Sequence, residues 1–261
     1  MKESEVLELA PLLARRELWL LVSVGFADPY QRERFELLRD ASFRQRAVDA
    51  AALLRQEHTG VVPGPGEVSP GELAPERFFA AVDAGPDNLE ASFRELFGLT
   101  AISPRCPPCE IEYEPNPDIA YRAQRLADVA GFYQAFGMQL SFHAVERLDH
   151  ITVEAEFLYL LLAKEAAARH TGNLEGAAIC AEARRKFFSE HVGWWLPAFA
   201  RLVARSAPVG YYQELAQLTA ALAAAERLSL GLPVFPARVV PKPSGDETEA
   251  GCFECINSES G

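Results

Sequence analysis

The chain has 261 residues, with 25 Lys and Arg against 37 Asp and Glu, for a formal net charge of −12. A chain this acidic repels phosphate backbones, and no basic stripe offsets the repulsion. Nucleic acid is therefore not an expected partner; a cationic peptide or basic protein suits the charge, which serves plain solubility equally well.

Apolar residues make up 49% of the chain, ordinary for a soluble globular protein of one large or two small domains. Ala, Leu, Glu and Arg dominate and β-branched residues are scarce, which predicts helix throughout. Arg15 and Arg16 precede an apolar run from Leu18 to Ala27 that superficially resembles an export signal. Acidic residues crowd the region that should be basic, no small-x-small cleavage pattern follows, and the run is too short to span a bilayer. It reads as a buried core helix. No membrane insertion is expected, and the cytoplasm is the default compartment.

Leu12, Leu13, Leu20 and Val24 begin this first helix, which ends near Asp28 and Pro29. Phe35 and Leu38, then Phe43, Val48, Ala51 and Leu54, recur at three-to-four spacing and predict two more. Residues 59–71 are broken by Gly and Pro into a loop. Helix returns over 72–82 with Phe78 and Phe79, and Asn88 can cap the next one, which carries Phe93, Leu96 and Phe97. Five prolines fall within 100–117, a segment that resists helix and reads as a hinge. Asp118 opens a helix reaching Gly137, and a loop follows from Met138 to Asp149. Helices over 150–170, 173–191, 195–205 and 209–230 complete the pattern. The expected architecture is all-α, about ten helices, with an N-terminal half (1–99), the hinge (100–117), a C-terminal half (118–232) and a tail (233–261).

Three short signatures sit at junctions between these segments, where polar groups are normally displayed. Phe93, Leu96 and Phe97 share a helix face, a spacing that on its own usually means core. Pro107 and Pro108 stiffen the backbone so that Cys109 and Glu110 project from a preset extended strand, with Tyr113 following; a rigid connector with solvated acids fits the same residues. Glu146, Asp149 and His150 precede a long helix, whose first turn Asp149 can cap. The cluster can equally bind a cation, a basic peptide or a nucleotide edge.

In this order the signatures resemble those of the TorD/DmsD/NarJ family of redox-enzyme maturation chaperones: aromatic-x-x-Leu-Phe, Pro-Pro-x-Glu-x-x-Tyr and Glu-x-Pro-Asp-His. Arg122 to Asp128 with Tyr133, and Trp194 to Pro197, are also similar. The resemblance covers roughly residues 10 to 230 by pattern. Leu148 stands where the family usually has Pro, and cysteines flank the Pro-Pro pair. The resemblance implies a TorD-like all-helical fold in two halves and a binding protein without turnover. It implies as partner the apo catalytic subunit of a molybdenum enzyme of the dimethyl-sulfoxide-reductase family, held until molybdopterin is inserted. A twin-arginine signal peptide is a second implied partner, and the Cys109–Tyr113 stretch resembles chaperones of the type II enzymes of that family. Phe93, Leu96, Phe97 and Tyr113 would supply apolar contact, and Glu110, Glu146 and Asp149 charge. On that reading Asp149→Ala weakens partner binding with little loss of stability. A helical adaptor for another amphipathic segment is the nearest alternative. A metal-dependent hydrolase built on Glu146, Asp149, His150 and His143 is the remote one, since the paired helical ligands such a site needs are absent.

Four of the five cysteines form two Cys-x-x-Cys pairs, Cys106/Cys109 and Cys252/Cys255. The readings weighed are a zinc site joining tail to hinge, separate redox disulfides, an iron–sulfur site and unconnected thiols. Zinc leads, because such pairs in the cytosol more often mean metal or redox chemistry than a structural bridge. No cofactor is otherwise expected.

Overall fold

Helix α10 (Tyr211–Ser229) explains the architecture best, because every residue from Leu218 to Arg227 is buried. A helix apolar on all sides needs neighbours all around it. In the computed structural model, which describes residues 3–64, 67–85, 89–98, 105–139 and 146–236, those neighbours come from along the chain. The helices that precede it are, in chain order, α1 (Glu3–Gly25), α2 (Arg32–Leu37), α3 (Ala41–Glu57), α4 (Pro75–Asp83), α5 (Leu89–Phe97), α6 (Ile119–Ala135), α7 (Ile151–His170), α8 (Leu174–Phe187) and α9 (Leu196–Ser206). Short 3₁₀ turns occupy Pro70–Glu72 and Glu110–Tyr113, and α8 widens into a π-helical turn over Phe188–Val192. The fold is all-α. Among the described residues the sole β feature is one isolated antiparallel bridge, Cys109 to His150.

The helix starts are chemical. Asp40, Asp118 and Asn173 each accept a hydrogen bond from a backbone N–H three residues on, at 2.7, 2.9 and 2.9 Å, which satisfies one of the orphan donors of a first turn. Pro75 and Pro197 sit in the first turns of α4 and α9, where a missing N–H costs nothing. Asn88, expected to cap α5, lies outside the described residues.

Helices α1 and α7 pack along their length, and α10 lies against α1, α4 and α9. Where α1 meets α10 the approach is tight: a Cβ on Gly25 would fall 2.7 Å from Leu215 Cδ1. The Tyr211 hydroxyl donates to the Gly25 carbonyl at 3.0 Å. One hydrophobic cluster runs from Leu9 to Leu232, with Trp19 and Trp195 fully enclosed. Helices on both sides of the Pro-rich segment feed this single core. Phe26 of the α1–α2 turn, Phe97 of α5, Phe199 of α9 and Tyr212 of α10 stack at centroid separations between 5.2 and 6.1 Å. The described part of the Pro-rich segment is pinned rather than free. Cys106 N–H donates to the Leu96 carbonyl at 2.7 Å, and Ile151 N–H donates to Pro108 at 2.9 Å. Tyr113 packs on Trp195 at 5.2 Å and donates its hydroxyl to the Pro107 carbonyl at 3.0 Å.

Candidate functional site

Two of the three signatures are one structural unit. The Pro-Pro element arrives extended, with Cys109 at φ −121° and ψ 139°, and pairs with the residues that precede α7. Glu110 N–H donates to the Asp149 carbonyl at 2.9 Å. The Asp149 carboxylate accepts from Ile111 N–H at 3.0 Å and from Arg147 at 3.0 and 2.9 Å. Asp149 therefore caps the 110–113 turn and not α7. The residue that caps α7 is His150, whose Nδ1 accepts from Thr152 N–H at 3.2 Å and lies 2.7 Å from the Thr152 hydroxyl. An Nδ1 that accepts an N–H carries no proton, so the ring proton sits on Nε2. Burial pushes the imidazole down to about 4, so it is neutral at pH 7.

The expectation that these junctions display their polar groups is corrected for most of the residues involved. Asp149, Glu110 and His150 are buried, as are Leu96, Phe97, Pro107 and Tyr113. Phe93, Pro108 and Glu146 are half-buried and retain accessible surface. Phe93, Leu96 and Phe97 act as a core anchor: Phe93 meets Phe97 at 5.4 Å, and both meet Tyr212. Glu146 accepts from Gln31 at 2.7 Å. Tyr30, the residue before Gln31, is exposed, and the Arg94 guanidinium lies over its ring at 5.3 Å.

Glu110 points inward because three remote groups receive it. Arg125 of α6 donates to Oε1. Trp194 Nε1 donates to the same oxygen at 3.1 Å, and His191 Nδ1 stands 3.2 Å from Oε2. The Arg125 guanidinium also covers the Trp194 ring at 5.2 Å and donates to the Glu190 carbonyl at 2.6 Å. A buried charge is tolerable only when paired and hydrogen-bonded, and this one is both. His191 and Glu190 come from the π-helical turn, a distortion that frequently marks functional positions.

Glu154, one turn into α7, accepts from Trp195 Nε1 at 3.2 Å and has its other oxygen unpartnered among the described residues. Complete burial pushes its carboxyl well above the ordinary carboxylate range, and the charges of Glu110 and Asp149 push the same way. The folded protein thus keeps a proton that the unfolded chain releases, so stability falls as pH rises above the ordinary carboxylate range toward the raised folded value. Glu154→Gln is expected to stabilise the protein by about 1–2 kcal/mol near pH 8 and by much less near pH 5, read as the gain in Tm across that range.

Arg125, Arg147, Glu154 and His191 went unnoticed as site residues in the sequence reading. Their signal is weak but present: Arg125 and Glu154 interrupt stripes that are otherwise apolar, where a charge must find a partner. Sequence spacing does not say which partner.

The thiols of the first Cys-x-x-Cys pair are inside. Cys106 and Cys109 are buried, and burial pushes the Cys106 thiol up to about 11 and the Cys109 thiol higher still. With no metal bound, both are therefore protonated thiols at neutral pH. Cys252 and Cys255 lie outside the described residues, as does His143. Among the described residues no group of three or more His, Cys, Asp or Glu is placed to hold a metal. Asp149 and His150 are consumed by internal hydrogen bonds, which takes two of the four proposed ligands from the hydrolase reading. A cleft of about 240 Å³ lies between the end of α6 and Leu148, lined also by Tyr133 and Met138. No helix among the described residues is long and apolar enough to cross a membrane.

The family described as nitrate reductase delta subunit matches residues 73–201. The selenate reductase assembly chaperone protein of Thauera selenatis is 29% identical over 161 residues, 54% of this chain and 79% of that one. The perchlorate reductase assembly chaperone protein of Dechloromonas aromatica (strain RCB) is 26% identical over 190 residues, 71% of this chain and 75% of that one. The chaperone protein TorD of Vibrio cholerae is 29% identical over 99 residues, 38% and 42% of the two chains. No solved structure matches. These matches support the resemblance to the TorD/DmsD/NarJ family of redox-enzyme maturation chaperones that the signatures carry.

Proposed function

We propose that this protein is a cytoplasmic chaperone that binds the apo catalytic subunit of a molybdenum reductase and releases it after the molybdopterin cofactor is inserted. The observation that carries the reading is the similarity to chaperones named for the assembly of two oxyanion reductases, over three quarters or more of each relative's length. Holding a subunit calls for no cofactor in the chaperone itself and no turnover. The net charge of −12 favours a basic segment of the client, and the twin-arginine leader is the natural one.

The accessible residues in and beside the signatures also support the reading. Tyr30, Phe93, Arg94, Pro108 and Glu146 retain surface, a mix of aromatic, proline and charge suited to a polypeptide partner. Co-purification from the native host tests it. A molybdopterin-enzyme catalytic subunit is expected to be retained by the tagged protein in its cofactor-free form and lost once loaded. Retention of the loaded subunit alone, or of unrelated proteins with no affinity for that subunit or its leader, would dismiss the proposal.

A further inference from the structure

Helix α6 is the least committed of the long helices. Of its seventeen residues only Val129 and Tyr133 are buried, and Ile119 and Tyr121 stand exposed. Its attachment is a line of side chains on one face. Arg125 reaches Glu110 and the Glu190 carbonyl. Phe132 meets Phe187 at 5.3 Å and His191 at 5.6 Å. Tyr133 and Phe136 meet Phe157 at 4.8 and 6.0 Å. The bed beneath is formed by α7, α8 and the π-helical turn: an aromatic floor of Phe157 and Phe187, with an acidic pole at Glu110 whose side chain is 2% exposed. A helix with so few buried residues belongs to the low-stability end of a fold and opens ahead of the rest.

We propose that α6 is a displaceable occupant of this groove, and that its replacement is an amphipathic helix of the client that carries an arginine. The proposal rests on the chaperone reading above and adds the place and the pattern of recognition. The pattern is written in α6 itself: an arginine followed four, seven, eight and eleven residues later by Val129, Phe132, Tyr133 and Phe136. The arginine is what makes the exchange selective. Lifting Arg125 away strands Glu110 in a desolvated pocket beside Trp194 and His191, and a second guanidinium restores the lost charge pair, whereas a neutral helix leaves it broken. An incoming helix of the right pattern therefore exchanges one set of contacts for an equivalent set, and the competition is decided by how often α6 is away.

The test uses the full-length chain and a fluorescent synthetic peptide of its own residues 117–138 as the probe. Native-state hydrogen exchange on the unaltered protein is expected to show α6 amides opening while those of α7 and α10 stay protected. Arg125→Ala is expected to bind the probe about tenfold more tightly than the unaltered protein, because the competing helix is held less often. The same peptide with its own arginine changed to alanine is expected to lose binding, and a leader peptide from a co-purified client is expected to displace the probe. Hydrogen exchange needs no variant, so it decides the matter even if Arg125→Ala misfolds. Exchange of α6 only together with α7 and α10 would overturn the proposal. So would dimers that trade α6 between copies without binding any client peptide. Client capture by a protein whose α6 never opens would leave the chaperone reading standing and this proposal refuted.

Discussion

Replacing Asp149 with alanine is expected to destabilise the protein by about 2–4 kcal/mol, whatever it does to partner binding. The carboxylate is fully buried and serves two masters: it caps the 110–113 turn through Ile111 N–H and holds the Arg147 guanidinium. Alanine leaves a buried N–H without an acceptor and strips Arg147 of one of its two carboxylate partners, the other being Glu112 at 3.1 Å. Arg147 is itself 45% exposed, so water recovers part of its loss and the cost falls below that of a fully enclosed pair. For a chain of this length each kcal/mol lowers Tm by roughly 2–4 °C. Asp149→Asn keeps an acceptor for Ile111 and should cost about half as much. Urea denaturation of both variants measures the difference. A variant with unchanged stability and lost partner binding would mean that Asp149 faces the client and not Ile111.

A still larger loss, about 3–5 kcal/mol, is expected for Arg184→Ala. Arg184 joins α8 to two other helices: it donates to Glu226 of α10 at 2.5 Å and lies 3.4 Å from Glu165 of α7. Glu226 is entirely enclosed and also accepts from Trp19 Nε1 at 3.3 Å, with Arg15 at 3.8 Å. Removing the guanidinium leaves two buried carboxylates facing one another's charge, with Arg15 and Arg169 as their remaining cations. Most of the penalty belongs to the stranded acids and not to the ion pair as such. The double variant Arg184→Met with Glu226→Leu is accordingly expected to recover part of the stability that Arg184→Met alone loses, Glu165 staying buried in both. A double-mutant cycle by equilibrium denaturation reads the coupling directly. An additive cycle would mean that the two side chains do not meet.

The helices were legible from the sequence because each carries its own signal. The periodic apolar positions of α1, α3 and α6, the capping Asp118 and Asn173, and the glycines and prolines of the loops are local and survive without knowledge of the partner. The chaperone family was legible for a similar reason: its signatures are short and ordered along the chain. The direction in which the signature side chains point was not legible. A proline-stiffened acid reads as displayed, and Glu110 would be displayed if nothing received it. The residues that do receive it, Arg125, His191 and Trp194, come from two later segments up to 84 positions away, and their convergence is a property of packing. The same holds for Asp149, read as a helix cap because it precedes a helix. The backbone pairing with Pro108 and Glu110 hands that cap to His150 and turns Asp149 inward.

The bridge between Cys109 and His150 has a practical corollary for anyone building chimeras among these chaperones. Residues 107–113 and 146–151 exchange backbone and side-chain hydrogen bonds with one another, so neither is a self-contained cassette. A transplant of one stretch alone carries half a handshake into a foreign host. A graft between relatives keeps the joint intact only if both strands of that handshake move together, along with the arginine on α6 that reaches Glu110.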